Sequence, residues 1–191
     1  VFVNPRRIES AKAAGEHVFI RPDTDVWFLL ALLHEILARD AVDHARVRAH
    51  MTGFDELAAI ARDWTPERQA EITGIAAATV RELVTAYLAA DGAALYASTG
   101  VNQGRNGTVA FWILEVINAI TGNLDRRGGS LMGKGIIDYP KLMARAPMVT
   151  RHSRIGGVPS LLDAFPMALL ADEILTPGPG QVRGLFVMSG N

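Results

Sequence analysis

The sequence contains no cysteine. That excludes a disulfide framework, a thiolate zinc site and an iron–sulfur cluster within these 191 residues. Aromatic residues are few, at 7%, and neither sign of charge dominates, with 19 basic against 20 acidic residues. No basic face stands out, so no nucleic-acid partner is expected. Long apolar runs are also missing. The stretch Val26 to Leu33 falls well short of the roughly 20 residues a membrane span needs, so no transmembrane segment is expected. No signal-peptide pattern opens the chain, and compartment stays open with cytoplasm as the default. The histidines lack metal-ligand spacing and no serine sits in a nucleophile elbow, so no catalytic residue and no metal ligand is assigned. What the chain does have is apolar material, 49% of its residues, enough for a packed core.

Its patterning alternates strands with helices. Val1–Val3, His17–Ile20, Ala93–Ala97 and the stretch from Gly184 read as strands. Helices are predicted over Arg7–Gly15, from Pro22-Asp23-Thr24-Asp25 to about Arg39, and over Val42–Met51 and Phe54–Trp64. Further helices follow from Thr65-Pro66-Glu67 to Gly74, over Ala76–Ala90, over Thr108–Ile120 and over Ser160–Ile174. Asp23 or Thr24 is the expected N-cap of the second helix, and Thr65 with Pro66 at the first turn starts another. This alternation implies an α/β fold, a doubly wound and mostly parallel sheet with a Rossmann-like nucleotide-binding subdomain. The expected division is a nucleotide-binding subdomain over residues 1–125, a glycine-rich crossover over 126–159 and part of a second α/β subdomain over 160–191. Both termini read as buried strands, which suggests an internal piece of a longer polypeptide.

Ligands of such sheets bind beyond the C-terminal strand ends. Three segments fall there. Asn4-Pro5-Arg6-Arg7 offers a polar group for a ribose hydroxyl and guanidinium forks for phosphate, or is a plain turn with solvated arginines. Arg21-Pro22-Asp23-Thr24-Asp25 offers a helix start and a carboxylate able to accept from guanine N1–H and N2, or is a plain N-cap. Ser98-Thr99-Gly100-Val101-Asn102-Gln103 offers close backbone approach at Gly100 and amide groups suited to a pterin edge, or is a polar connection.

Other motifs fail. Gly128 to Lys134 fits most of a phosphate-binding loop, but Gly135 stands where a Ser or Thr must be, and no strand precedes it. His34-Glu35 begins a zinc-protease pattern, yet position 38 is Ala; His34 reads as a partly buried helix residue and Glu35 as its solvated neighbour. A Gly-x-Gly-x-x-Gly turn after the first strand is missing, which counts against a simple NAD-binding domain.

Taken together, the segments resemble the dimethyl-sulfoxide-reductase superfamily of molybdopterin oxidoreductases, which includes formate dehydrogenases and nitrate reductases. Asn4-Pro5-Arg6-Arg7 resembles its Asp-Pro-Arg-Arg, and Arg21-Pro22-Asp23-Thr24-Asp25 its Arg-Pro-Gly-Thr-Asp. Gly100-Val101-Asn102-Gln103, Asn106-Gly107-Thr108, Ile120-Thr121-Gly122-Asn123 and the strand ending Ser189-Gly190-Asn191 continue the series.

The resemblance implies an oxidoreductase that carries two molybdopterin guanine dinucleotides around molybdenum or tungsten. It moves two electrons or an oxygen atom on a small-molecule substrate, with electron-transfer subunits as partners and a [4Fe–4S] cluster upstream where the family has one. By motif position Asn4, Pro5, Arg6, Arg7 and Ile8 would line a guanosine and phosphate pocket. Asp23, Thr24 and Asp25 would hold guanine, Thr99 and Gln103 would lie near the pterin, and Asn191 would touch the second cofactor. Lys134 sits where the family often has a basic residue. Asn4 replaces the usual aspartate, Asp23 a glycine and Thr99 a common methionine. The competing readings are a cofactor-less scaffold subunit of the same fold and a simple nucleotide-binding domain.

Overall fold

The computed structural model describes residues 1–133, 135–144 and 151–188. The chain forms two compact units, residues 1–132 and 133–191. In the first, β1 (Phe2–Val3) pairs in parallel with β2 (His17–Val18), joined by the short helix α1 (Glu9–Ala13). Helices α2 (Asp25–Ala38), α3 (His44–His50), α4 (Phe54–Arg62), α5 (Pro66–Thr73) and α6 (Ala77–Ala89) follow, then α7 (Thr99–Asn102) and α8 (Gly107–Ile120). This is an α/β fold with a parallel sheet, but among the described residues the sheet has only two strands.

Helix α2 is apolar on nearly every face and is therefore buried all round. It packs against α4, α5, α6 and α8. Leu33 and Ile36 meet Val80 and Val84 of α6 and Ile113, Ile117 and Ile120 of α8 in one continuous core. Burial of each such side chain contributes about 1.5–3 kcal/mol. Glu35, predicted as solvated, is buried on α2. Its carboxylate accepts from Arg39 at 3.1 Å and from Arg81 of α6 at 3.2 Å, the pairing that makes burial of its charge tolerable. His34 is partly buried as expected, with Nδ1 3.1 Å from the carbonyl of Ala61.

Helix α5 begins as its sequence dictates: the Thr65 hydroxyl accepts from the Arg68 amide, and Pro66 occupies the first turn. Its end is stopped by Gly74 at φ +80°, and the Arg21 guanidinium donates to the terminal carbonyls of Glu71 and Ile72. Buried Gln69 donates to the carbonyls of Pro66 and Ile75 and accepts from Thr73, so no polar atom of this internal turn is stranded.

Residues 93–97 are not a strand. A strand needs a ladder partner, and here the partners are side-chain amides. Asn118 Oδ1 accepts from the Leu95 amide at 3.0 Å, Asn118 Nδ2 donates to the Leu95 carbonyl at 3.0 Å, and Asn123 Oδ1 accepts from the Ala93 amide at 3.1 Å. The Tyr87 hydroxyl also donates to Asn118, and burial pushes the Tyr87 phenol above its usual range.

In the second unit the helix predicted from Ser160 starts late. Leu162 and Asp163 have φ of +49° and +64°, and Leu161 and Ala164 close an antiparallel bridge around them. A 3₁₀ turn at Met167–Leu169 after Pro166 then leads into α10 (Leu170–Leu175), preceded in the chain by α9 (Tyr139–Met143). The unit is held by Arg154, whose guanidinium pairs with Glu173 at 3.0 Å and donates to the carbonyls of Glu173 and Thr176. The strand predicted from Gly184 has no ladder partner over residues 184–188, and Leu185, Phe186, Val187 and Met188 are exposed. Among the described residues no single helix is long and apolar enough to cross a membrane.

Candidate functional site

The parallel pairing of β1 and β2 sets their C-terminal ends side by side. The Asn4 amide donates to the Val18 carbonyl at 3.1 Å, extending the pairing to the first residue beyond β1. Asn4 Oδ1 then accepts from the Arg6 amide at 3.0 Å, a side-chain turn that directs the chain away from the sheet. Pro5, Arg6 and Arg7 are exposed and Ile8 is half-buried. Arg6 makes an exposed ion pair with Glu9 at 3.5 Å, which solvent leaves weak and free to exchange for another anion.

The second segment leaves β2 and turns into α2. Thr24 holds the N-cap position, but neither predicted capping side chain caps. The Thr24 hydroxyl donates back to the Arg21 carbonyl at 2.6 Å. Asp23 lies at φ +63°, in the left-handed region that Asp tolerates better than most residues. Its carboxylate accepts from the backbone amide of Arg105 at 2.8 Å, and Oδ2 lies 3.9 Å from the Arg105 guanidinium. This clasp ties the start of α2 to the loop directly after the third segment. A Cβ at Gly104 would overlap Asp23 Oδ1, and one at Gly107 would meet the Asn102 backbone at 2.7 Å. Both glycines are needed for that approach.

Asp25 stands at the first position of α2, half-buried. Burial raises its carboxyl above the usual carboxylate range; its own backbone amide opposes the shift, and the neighbouring Asp23 adds to it. Asp23, Asp25, Val101, Gly104, Asn106 and Gly107 surround a cleft of about 10 Å³, room for one water-sized group. Thr99 opens α7 and Gln103 ends it, and both are exposed. Around Gly100 there is open space.

So the second predicted segment meets the loop that directly follows the third, and the first lies at the end of the adjacent strand. Lys134 and Asn191 lie outside the described residues. Among the described residues no group of His, Asp and Glu is placed to hold a metal ion. Sequence reasoning missed Gly104, Arg105 and the amide of Asn118, and gave Asn123 no role beyond its place in the resemblance. Only the asparagines left a signal. Asn118 follows Ile113, Leu114 and Ile117 on the buried side of α8, where a polar side chain must find partners.

No family model matches the chain. Its sequence is 31% identical to formate dehydrogenase H of Escherichia coli K12 over 126 residues, covering 66% of this chain and 18% of that protein. It is 32% identical to the dimethyl sulfoxide/trimethylamine N-oxide reductase of Cereibacter sphaeroides over 136 residues, covering 68% of this chain and 16% of that one. Acetylene hydratase from Pelobacter acetylenicus shares the fold, with a TM-score of 0.62 at 23% identity over 69% of this chain and 18% of the hydratase. The matched part of this chain thus spans less than a fifth of the length of each of these relatives. Over about two thirds of its length the chain is thus similar in sequence to members of the dimethyl-sulfoxide-reductase superfamily of molybdopterin oxidoreductases.

Proposed function

We propose that this chain supplies the guanine-nucleotide-binding part of a molybdenum or tungsten enzyme that transfers two electrons or an oxygen atom. The observation that carries the reading is the clasp between Asp23 and Arg105. It joins two separate segments around Asp25, a half-buried carboxylate at a helix start.

The donor set suits a molybdopterin guanine dinucleotide. Arg6 and Arg7 present guanidinium groups for its phosphates, as does Arg105, whose side chain is 92% exposed. Asp25 offers a carboxylate for the two adjacent N–H groups of guanine, and Thr24 stands beside it. The cleft is too small to enclose a purine, so recognition falls to edge contacts at its rim. Asn4, Pro5 and Ile8 would border the ribose. Thr99 and Gln103 would face the pterin, with Gly100 admitting its flat ring. Asn191 is assigned to the second dinucleotide by motif position alone. When bound, the cofactor supplies the redox chemistry at its metal; the residues named here bind and orient it. The substrate, any electron-transfer subunit and any [4Fe–4S] cluster belong to the parent protein.

One residue's assignment shifts. Asp23 already accepts from Arg105, so it positions the loop at residues 103–106 while Asp25 reads the base. The test is elemental analysis and cofactor hydrolysis of the purified parent protein. Molybdenum or tungsten with released GMP is expected, and Asp25→Ala is expected to lower both. A parent protein with neither metal sinks the proposal. Metal retained without GMP restricts the error to the guanine assignment.

A further inference from the structure

A helix leaves its last backbone carbonyls without an intrahelical donor. At the end of α5 these run from Ala70 to Thr73. Ala70 accepts from the Gly74 amide at 3.0 Å. The others are all served by one residue of the loop that leaves β2. The Arg21 amide donates to the Thr73 carbonyl at 2.9 Å. The Arg21 guanidinium donates through Nη1 to the carbonyls of Glu71 and Ile72, at 2.5 and 3.1 Å. Its charge also sits at the negative end of the α5 dipole. The other side of Arg21 fixes the start of α2. Its carbonyl accepts from the Thr24 hydroxyl at 2.6 Å, and the Thr24 carbonyl accepts from the Trp27 and Phe28 amides in the first turn of α2. Between them Asp23 holds φ +63° and accepts from the Arg105 amide. A line of hydrogen bonds thus runs from the end of α5, through the turn at residues 21–24, to the loop at residues 103–106.

We infer that Arg21 is a positioning residue of the candidate site: it anchors the turn that carries Asp23 and Asp25 to the C-terminal end of α5, and does not itself meet the nucleotide. The inference rests on the reading of this turn as the guanine site. An anion ligand needs an uncommitted guanidinium. Arg6 has one, since its exposed ion pair with Glu9 at 3.5 Å is weak. Arg21 instead turns its guanidinium to the backbone of α5 and does not line the cleft beside Asp25. The turn needs such an anchor. No side chain caps α2, and the left-handed backbone at Asp23 is disfavoured for a residue with a Cβ. Held only by the Arg105 amide, the turn could relax and carry Asp25 with it. Held at Arg21 as well, it is fixed on both sides. Helices α4 and α5 thereby act on the site through one arginine, although α5 contributes no residue to the cleft.

Residue-resolved hydrogen exchange on the purified full-length protein reads the anchor without reference to a cofactor. The reporter is the Arg105 amide, which donates to Asp23. The control is the Ala110 amide, bonded to the Asn106 carbonyl at 2.8 Å within α8. In Arg21→Ala, exchange at Arg105 is expected to quicken about 10-fold or more while Ala110 is unchanged. Arg21→Lys keeps a donor for the α5 carbonyls and is expected to recover part of that protection. Faster exchange confined to the Gly74 amide, with Arg105 unmoved, makes Arg21 a cap of α5 alone and overturns the inference. Equal acceleration at Arg105 and Ala110 marks a general loosening and overturns it as well. Cofactor hydrolysis supplies a second readout: Arg21→Ala is expected to release several-fold less GMP than Arg21→Lys, and equal release from the unsubstituted protein and Arg21→Ala counts against the anchor. A protein that releases no GMP before any substitution refutes the guanine reading instead, and the exchange result then decides the role of Arg21 by itself.

Discussion

Replacing Asn118 by alanine removes the link between α8 and the segment that leads into Ser98–Gln103. Asn118 is fully buried and holds both peptide groups of Leu95, at 3.0 Å each, together with the Tyr87 hydroxyl at 3.1 Å. Tyr87 keeps a second partner in Thr121, so its loss is partial. The Leu95 amide and carbonyl lose their partners outright. An orphaned buried group costs about 1–3 kcal/mol, and Leu95 is only half-buried, so the lower half of the range applies to each. The expected loss is about 2–4 kcal/mol, a large part of a typical domain's stability of roughly 5–15 kcal/mol. Urea unfolding followed by tryptophan fluorescence measures it. Trp27, Trp64 and Trp112 all lie within residues 1–132, so the signal reports the unit that contains Asn118. Asn118→Asp keeps the acceptor, loses the donor to the Leu95 carbonyl and buries a charge, so it is expected to cost at least as much. A shift below about 0.5 kcal/mol for the alanine variant would refute the claim that side-chain amides stand in for a strand here.

Three further outcomes are expected. Asp25→Asn raises the melting temperature at neutral pH while lowering cofactor retention. Burial raises the folded carboxyl above the usual carboxylate range, so its contribution to stability is present below that range and is lost as pH rises through the raised folded value. The asparagine variant lacks that loss, so in parallel melting curves from about pH 3 to pH 7 the difference between the two proteins is expected to widen as pH rises, and a flat difference would refute the reasoning. Asp23→Ala gives up the bond to the Arg105 amide and leaves a side chain at φ +63°, costing about 1–3 kcal/mol; Asp23→Gly relieves the backbone and recovers part of it, and equal losses for the two variants in urea titrations would contradict the left-handed assignment. Leu33→Ala opens a hole in a wholly buried site of α2 and costs about 3–5 kcal/mol, with denaturant midpoint as the readout and a loss under 1 kcal/mol as the refuting one.

Helices were largely legible because their signals are local. The hydroxyl and proline at Thr65-Pro66, the apolar periodicity of α2 and α8 and the glycine stops at Gly74 and Gly122 act within a few residues. Strands were less so. Ala93–Ala97 has strand composition, but whether a segment becomes a strand depends on a partner that local sequence does not contain. The helix expected from Ser160 failed because Leu162 and Asp163 adopt positive φ within a tight bridge, which residue preference does not announce. Glu35 shows the same limit for charge: its burial depends on Arg81, 46 residues away.

The sequence by itself determined the helical cores, the order of the three strand-end segments and the resemblance that the relatives support, since each is written in residue type and spacing. Only the tertiary structure decided which carboxylate is engaged by a distant segment. By residue type alone Asp23 and Asp25 are two acids at one helix start, and only the motif resemblance favours Asp25. The approach of Gly104 and Arg105, 82 residues along the chain, engages Asp23 and leaves Asp25 half-buried at the cleft. Such a contact has no local signature, because it is set by how α2 and α8 pack.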